Sequence, residues 1–483
     1  MTLANLEPGH VWKHFDKIRS IPRPSGHEEK IRNHLLAFAS EQKLQASADA
    51  AGNVVIRVPA TRGHEKAPTV VLQGHMDMVC EKNKDVQFDF MKDPIQLVVE
   101  GEWLKAKGTT LGSDNGVGLA AALALVDDGD AVHGPLEILA TVDEETGLTG
   151  ASGLDGAMLK GKTLINLDTE EIGAVYIGCA GGGGTTITLP FKTKPVPDGR
   201  EVIQVKVTGL RGGHSGVDIH EQRGNAIKAL ARILWKVSRK YTLTLVDFNG
   251  GGVHNAIPRE ASATCVVAAS ALNRVKKAID EEARVIKAEW AAVDPGFKLE
   301  VMPAQPRPAE MMAKRSHVAV LHLLLALPHG VERVSSDVPG LVETSTNLAT
   351  VGTKDRQITI GTSTRSSVAS ALQALRDRVR AASELAGAKV EEGKTYPGWK
   401  PNLESKVLEV TKRTHERVFG KAPKLKAIHA GLECGIIGEK VPGMDMVSIG
   451  PQIEWPHSPD ERVNIPSVKQ FYTLLKAVLK ELA

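Results

Sequence analysis

Aromatic residues and cysteines are both scarce in this chain of 483 residues. Phenylalanine, tryptophan and tyrosine together make up 4% of it, which disfavours a surface that stacks nucleic-acid bases. The cysteines lie far apart and form no Cys-x-x-Cys pair: Cys80, Cys179, Cys265 and Cys434. A disulfide framework or a thiolate zinc site is therefore disfavoured, and the reduced thiols of a cytoplasmic protein are expected.

Long apolar runs and an excess of one charge are also missing. No run approaches the roughly 20 apolar residues of a membrane span. The first residues lack a basic stretch followed by an apolar one, so no signal peptide is predicted. The 60 basic and 57 acidic residues leave a net charge of +3, which attracts nucleic acid or an anionic membrane only weakly. We expect a cytoplasmic protein with neither as a partner.

Apolar runs that are typical of buried strands alternate with helical patterns in the first third of the chain. The strand runs cover residues 54–58, 69–73, 136–142 and 163–167, and the helical patterns cover 27–40 and 114–126. Such alternation predicts an α/β domain whose mostly parallel sheet is covered on both faces.

The pattern changes after the glycine run GCAGGGG at 178–184, which we interpret as a hinge. A β-α-β-β-α-β unit follows, in which residues 221–239 form the first helix. The segment 391–402 is predicted to be the return hinge, and a last helix begins with Pro466 and has Ser467 as its N-cap. Residues 1–184 and 395–483 thus form one domain, interrupted by an inserted α+β domain at 185–394.

Acidic and histidine residues follow several of these apolar runs. They are His75, Asp114, Glu144, Glu145, Asp168 and His457. The carboxyl ends of buried strands are where α/β sheets place their sites. Oxygen and imidazole ligands directed at one point suit a pair of divalent metal ions, and a carboxylate left over suits the activation of a hydrolytic water. Asp114 has glycines at 112, 116 and 118 and is the candidate to bridge both ions.

Each of these residues also has an ordinary structural interpretation. The acidic run at 143–145 suits a solvated loop, Asp168 a helix cap, and His457, between two prolines, a turn. The joint occurrence at repeated strand ends is far more specific than any single member. A non-catalytic scaffold on the same fold should have lost a ligand or the base, and here all are present.

The motifs HMDM, SDNGVG, VDEETG, NLDTE and WPHSPDE resemble those of the binuclear-zinc peptidases and deacylases, which include carnosinases, aminoacylase-like enzymes and glutamate carboxypeptidases. The long insert is most similar to that of the Xaa-His dipeptidase branch. The resemblance implies two zinc ions, which manganese or cobalt can replace. It implies His75, Asp114 and Asp168 as ligands of one ion, with Asp114 bridging to a second ion held by Glu145 and His457.

The same resemblance assigns Glu144 as general acid/base and Asp77 as the residue that orients His75. It implies that the peptide bond between Asp114 and Asn115 is cis. Asn115 stands where many relatives have aspartate, a difference that touches no ligand.

The insert contributes motifs that the resemblance links to the substrate. In GLRGGHSGVDIH, His214 becomes the oxyanion stabiliser, reaching its own site or that of a partner subunit; the alternative is a turn histidine. Asn255 and Arg365 become contacts to the substrate's terminal carboxylate, which the arginine fork suits. Arg365 as an ordinary surface cation is the alternative. Glu433, in the glycine-flanked HAGLECG, becomes a substrate-binding loop residue.

These observations predict a two-zinc hydrolase of dipeptides, preferentially Xaa-His dipeptides such as β-alanyl-histidine. The resemblance also implies a homodimer formed through the insert, which would act as a lid. The alternative function is the same chemistry on other dipeptides, tripeptides or N-acyl amino acids. The run GCAGGGG lacks the GK[ST] ending of a phosphate loop, so nucleotide binding is not predicted.

Overall fold

The computed structural model describes residues 3–483, so the first two residues of the predicted first domain lie outside the description. The chain forms two compact units. The first comprises Met1–Cys179, Trp399–Ala427 and Leu432–Ala483, and the second comprises Ala180–Gly398 and Ile428–Gly431. The predicted limits of the insert, residues 185 and 394, both lie inside the second unit.

Helices and strands alternate through residues 3–179. The helices are Gly9–Arg19 (α1), Glu29–Glu41 (α2), Ser113–Asp127 (α3), Glu144–Gly147 (α4) and Thr149–Gly153 (α5). The strands are Gln45–Ala48 (β1), Val54–Val58 (β2), Val70–His75 (β3), Leu97–Glu100 (β4), Trp103–Ala106 (β5), Leu136–Thr141 (β6), Thr163–Asn166 (β7) and Ala174–Cys179 (β8).

The middle of the chain, residues 180–398, is richer in strands. They are Gly181–Pro190 (β9), Thr193–Pro195 (β10), Arg200–Thr208 (β11), Leu243–Gly250 (β12), Ala261–Ala268 (β13), Lys298–Pro303 (β14), Glu310–Met312 (β15), Gly330–Val334 (β16), Val342–Lys354 (β17), Gln357–Ser366 (β18) and Lys389–Tyr396 (β19). The helices are Ala226–Ser238 (α6), Leu272–Glu289 (α7), Lys314–Ala326 (α8) and Ala369–Leu385 (α9).

The last part of the chain returns to the first unit. Its helices are Lys406–Phe419 (α10), Glu433–Lys440 (α11) and Ile465–Leu482 (α12). Its strands are Lys424–Ile428 (β20), Asp445–Ser448 (β21), Ile453–Glu454 (β22) and Arg462–Asn464 (β23). Among the described residues, no helix combines the length and apolar character that a membrane span requires.

A mixed sheet forms the centre of the first unit, in the order β1-β2-β6-β3-β7-β21-β8-β20. Strands β6, β3, β7 and β21 pair in parallel, whereas β1 and β2 pair antiparallel. Strand β3 is buried at every residue, as a strand covered on both faces should be. The predicted α/β class is confirmed, and its parallel strands lie in the centre of the sheet.

The second unit contains the predicted β-α-β-β-α-β arrangement, with strand order β14-β11-β13-β12. The same sheet continues through β17, β18, β9 and β19, so one antiparallel sheet runs through the unit. Its helices cover a core that includes Val205, Leu230, Ile279 and Ile360. At the start of β18, Gln357–Ile360, buried isoleucines alternate with exposed polar residues, as burial of one sheet face requires.

Both predicted hinge segments contain a boundary between the two units, Cys179/Ala180 in the first and Gly398/Trp399 in the second, although part of each segment is strand. Residues Gly181–Gly184 begin strand β9, which pairs with β18 and β19. A Cβ at Gly181 would lie 2.5 Å from the backbone nitrogen of Gly398, so the glycine permits close packing. The predicted return hinge likewise begins inside strand β19.

Two helix starts also differ from the sequence interpretation. Helix α6 begins at Ala226 rather than near 221, because Asn225 caps it by accepting from the N–H groups of Ile227 and Lys228. Helix α12 is capped by Asn464, whose side chain accepts from the N–H of Ser467. A side-chain acceptor just before the first helical turn decides both boundaries.

Candidate active site

Neighbouring parallel strands bring four of the predicted residues to one edge of the first unit's sheet. His75 is the last residue of β3, Glu144 and Glu145 open α4 after β6, and Asp168 follows β7 by two residues. Because β6, β3 and β7 are parallel neighbours, their carboxyl ends lie side by side. The structure thus places these residues where the sequence predicted them.

Asp114 and His457 reach the same place from less regular backbone. Asp114 lies in α3 with non-helical angles (φ −81°, ψ 114°), and its peptide bond to Asn115 is cis, as expected. His457 follows β22 and has φ 60°, a left-handed conformation that non-glycine residues rarely adopt. Non-glycine residues whose backbone is held at positive φ by the surroundings cluster at functional sites.

The ring nitrogens and carboxylate oxygens form two groups that share Asp114. Nε2 of His75 lies 3.0 Å from Asp114 Oδ1 and 3.5 Å from Asp168 Oδ1. Nε2 of His457 lies 3.2 Å from Asp114 Oδ2 and 3.0 Å from Glu145 Oε2. Each oxygen of Asp114 therefore faces a different histidine, which is the arrangement that a bridging carboxylate needs.

The donor set fits a pair of divalent cations. Within residues 3–483, Asp168 Oδ1 and Glu145 Oε1 are buried without a hydrogen-bond partner. Buried carboxylate oxygens of that kind are costly unless a cation satisfies them. His75, Asp114 and Glu145 also offer ligand atoms that all lie within 4.8 Å of one another. Mixed imidazole and carboxylate ligands suit zinc, with manganese and cobalt as alternatives.

Asp77 is fully buried and contacts three parts of the site. Its Oδ1 lies 3.3 Å from Nδ1 of His75, and its Oδ2 accepts from the hydroxyl of Ser25 at 2.8 Å. The N–H groups of Glu144 and Glu145 donate to its two oxygens at 3.0 and 3.2 Å. Burial opposes its charge, but His75 and these donors outweigh burial and hold the pKa of Asp77 well below its usual range.

Glu144 differs from the neighbouring Glu145 in its surroundings. Burial raises the pKa of Glu144 well above its ordinary value, and the negative charges of Asp168 and Glu145 add to this while His75 opposes it. A carboxyl group that readily holds a proton in this environment suits a general acid/base. In the described structure Glu145, not Glu144, is the carboxylate that lies beside His457.

Sequence reasoning missed two buried charged residues next to the ligands. Glu461 accepts hydrogen bonds from the backbone N–H groups of Leu111, Gly112 and Ser113, just before Asp114. Arg23 is 1% exposed and donates to the carbonyls of Met76 and Gly112. Glu461 belongs to the WPHSPDE motif and was detectable, whereas no sequence signal marks Arg23.

His214 of the second unit lies in a tight turn that determines its tautomer. Its ring Nδ1 accepts hydrogen bonds from the backbone N–H groups of Gly216 (3.3 Å) and Val217 (3.0 Å). The backbone N–H of His214 donates to the carboxylate of Asp218. The ring proton must therefore lie on Nε2, which makes that nitrogen a hydrogen-bond donor. Burial, followed by the charge of Arg365, lowers the pKa of His214, so the neutral donor form is favoured.

Arg365 lies in β18 and is 7% exposed, so its interpretation as an ordinary surface cation is wrong. Its Nη1 donates to the hydroxyl of Tyr396 at 2.9 Å. Over residues 3–483 its Nε is buried without a hydrogen-bond partner. Asn255 is exposed, and its backbone carbonyl accepts from Ser215, next to His214.

Glu433 is not a loop residue but the first residue of helix α11, and it is 1% exposed. Its Oε2 accepts from Gln73 (2.5 Å) and Thr141 (2.7 Å), residues of β3 and β6. Burial is the main cause that raises the pKa of Glu433 to about 7. Its role as a substrate contact stays a prediction.

Comparison with known proteins gives whole-chain matches. The cytosol non-specific dipeptidase of Escherichia coli (strain K12) is 45% identical over 480 residues, which cover 99% of each chain. The crystal structure of aminoacylhistidine dipeptidase from Vibrio alginolyticus superposes with a TM-score of 0.93 at 41% identity, over 100% of this chain and 98% of the other. Human carnosine dipeptidase 1 shares the fold alone, with a TM-score of 0.50 at 13% identity over 98% of this chain and 96% of the other.

The family model of peptidase family M20/M25/M40 matches residues 71–481, a range that contains the five predicted metal ligands and Glu144. With this match and a near-full-length relative at 45% identity, the chain belongs to peptidase family M20/M25/M40 and is a metallopeptidase.

Proposed function

We propose that the chain is a dipeptidase that uses two zinc ions and cleaves preferentially Xaa-His dipeptides such as β-alanyl-histidine. The observation that carries the proposal is the pair of ligand groups on the two oxygens of Asp114, with Glu144 next to the ligand Glu145. The two near-full-length relatives support it, since both are named dipeptidases.

His75, Asp114 and Asp168 would hold one ion, and Asp114, Glu145 and His457 the other. Such a pair, when bound, acidifies a water molecule and polarises the scissile carbonyl. The carboxylate of Glu144 takes the proton of the attacking water on one of its oxygens. The same oxygen then delivers this proton to the leaving amine, which departs as a neutral group.

We propose His214, Arg365 and Asn255 of the second unit as contacts of the substrate. The Nε2–H of His214 suits the oxygen that gains negative charge as the carbonyl is attacked. Buried Arg365 has an unpartnered Nε and suits the terminal carboxylate of a dipeptide, with Asn255 as a second contact. A fixed position for this carboxylate limits the number of residues between it and the scissile bond.

The remaining parts of the proposal concern the assembly and the compartment. We propose a homodimer that forms through the inserted unit and works in the cytoplasm. The cytosol dipeptidase of Escherichia coli and the four free cysteines support the compartment.

A substrate panel on metal-loaded protein tests the proposed function. It compares Xaa-His dipeptides, other dipeptides, tripeptides and N-acetyl amino acids by kcat/KM, with Glu144→Gln as the inactive control. We expect dipeptides to be cleaved best, with histidine preferred at the second position. Faster cleavage of tripeptides or N-acetyl amino acids would overturn the dipeptidase proposal in favour of the same chemistry on another amide.

A further inference from the structure

The carboxylate of Glu461 binds the backbone that leads into Asp114. Its Oε2 accepts from the N–H groups of Leu111 (2.7 Å) and Gly112 (3.0 Å). Its Oε1 accepts from the N–H (2.8 Å) and hydroxyl (2.6 Å) of Ser113 and, at 3.4 Å, from the N–H of Asp114. One buried side chain thus satisfies four consecutive N–H groups, the last two of which belong to the irregular first residues of α3.

Glu461 belongs to the same short segment as His457. The N–H of Glu461 donates to the carbonyl of Ser458 at 3.0 Å, which closes a turn directly after the histidine. The imidazole of His457 in turn lies 3.2 Å from Oδ2 of Asp114. Two residues from this segment therefore contact the Asp114 region, one through its ring and one through its carboxylate.

Arg23 holds the same backbone from the opposite side. Its Nη2 donates to the carbonyl of Gly112, and its Nη1 donates to the carbonyls of Met76 and Asp77. Gly112 has φ 69°, and a Cβ there would lie 2.6 Å from Nη2 of Arg23. The segment before Asp114 is consequently bound at its N–H groups by Glu461 and at the carbonyl of Gly112 by Arg23.

We propose that Glu461 is a positioning residue that sets Asp114 against His457 and thereby maintains the ligand group of Asp114, Glu145 and His457. The inference rests on the proposed function, in that this group holds one of two metal ions. The other group has support of its own, because His75 and Asp168 extend from the paired strands β3 and β7. Loss of Glu461 should therefore weaken one metal site more than the other.

Glu461→Gln is the sharpest variant. Each carboxylate oxygen accepts from at least two donors, so an amide NH2 meets N–H groups in either orientation. Glu461→Asp keeps both acceptor oxygens on a shorter side chain and should restore part of the effect. Glu454→Gln is the matched control, because Glu454 lies in β22 near His457 but pairs with Arg462.

The experiment is a titration of metal-free protein with Co²⁺, followed by its visible absorption and by competition with a chelator. We expect the wild type and Glu454→Gln to bind two ions. In Glu461→Gln, the ion held by His75 and Asp168 should bind with an affinity within about threefold of wild type. The ion held by Glu145 and His457 should bind at least about tenfold more weakly, which is the range seen when supporting contacts of a metal site are lost. Two sites of wild-type affinity in Glu461→Gln would overturn the inference.

Circular dichroism of each metal-free variant checks that it is folded. If Glu461→Gln does not fold, the metal titration is made on Glu461→Asp and Ser113→Ala instead. Ser113→Ala removes only the 2.6 Å hydrogen bond from the serine hydroxyl to Glu461. Wild-type binding of both ions by these two variants then overturns the inference. A wild-type protein that does not bind two ions contradicts the proposed function instead, so the two failures are distinguishable.

Discussion

Asp77 Oδ1 accepts a hydrogen bond of 3.0 Å from the backbone N–H of Glu144. The same oxygen lies 3.3 Å from Nδ1 of His75, so one buried carboxylate contacts both a predicted ligand and the backbone of the predicted base. These groups come from β3 and from the turn after β6, which are neighbours in the sheet. Asp77 therefore links a predicted metal ligand to the predicted base.

Asp77→Asn should weaken metal binding by about 10–100-fold, as expected when the partner of a ligating histidine is lost. The amide keeps one acceptor oxygen but places an NH2 group near the N–H of Glu144 or Glu145. Metal affinity, measured by chelator competition, checks this. Ser25→Ala is the milder control, because it removes one hydrogen bond and leaves the carboxylate. Unchanged affinity in Asp77→Asn would show that Asp77 does not support His75.

Glu144→Gln should lower kcat by about 100-fold or more, because a neutral amide cannot take the proton of water. The variant should keep its metal ions, since Glu145 and not Glu144 lies beside His457. Steady-state kinetics together with metal analysis separate these two effects. Normal hydrolysis by the variant would contradict the assignment of Glu144 as general acid/base.

His75→Ala and His457→Ala should each lose metal, because each removes the only imidazole of its ligand group among the described residues. In the wild type, a chelator should lower the melting temperature and added Zn²⁺ should restore it, since a ligand at 100 times its Kd stabilises the folded state by about 2.7 kcal/mol. Metal analysis by mass spectrometry checks the variants. Full occupancy in both would refute the ligand set.

The second unit should lose stability in acid through His317. Burial lowers the pKa of His317 to about 4, and its Nδ1 accepts from the N–H of Leu245 at 3.2 Å. Because the folded pKa lies below the unfolded value of 6.5, this contribution is complete above pH 6.5 and is lost as the pH falls toward 4. Since a pKa difference of one unit corresponds to about 1.36 kcal/mol, the free energy of unfolding should fall by at most about 3 kcal/mol through this group.

His317→Asn tests this contribution, because the asparagine oxygen can accept from Leu245 without taking up a proton. We expect the melting temperature of the wild type to fall more than that of the variant between pH 7 and pH 4.5. Comparing the two proteins cancels the titration of the other groups. Equal falls would mean that His317 is not responsible.

Much of the fold could be predicted from local patterns. Strands β2, β3, β6 and β7 lie where apolar runs occur, because a strand buried on both faces needs such a run. The glycine run at 178–184 contains the boundary between the two units, but its residues 181–184 are strand, because glycine permits a turn and also the close strand packing found in β9. Local composition does not distinguish these two uses.

The candidate site likewise has features that the sequence predicted and features that depend on tertiary contacts. The residue types and their positions after strands predicted that His75, Glu145 and Asp168 meet, since parallel strands end at one edge. That Asp114 faces one histidine with each oxygen depends on its contact with His457, which lies 343 positions away in the chain. The role proposed for Glu461 likewise rests on contacts of its carboxylate with the N–H groups before Asp114, which only the folded chain brings together.

The sequence by itself predicted the chemistry proposed for this protein, namely which side chains can bind metal and which carboxylate is left to move a proton, and it determined which runs must be buried. Only the tertiary structure decided how these groups are held, through Arg23, Asp77 and Glu461. The physical reason is that strand burial and ligand type are properties of residues and their near neighbours. Hydrogen bonds to buried charges join segments that are distant in the chain, and their geometry exists only in the folded state.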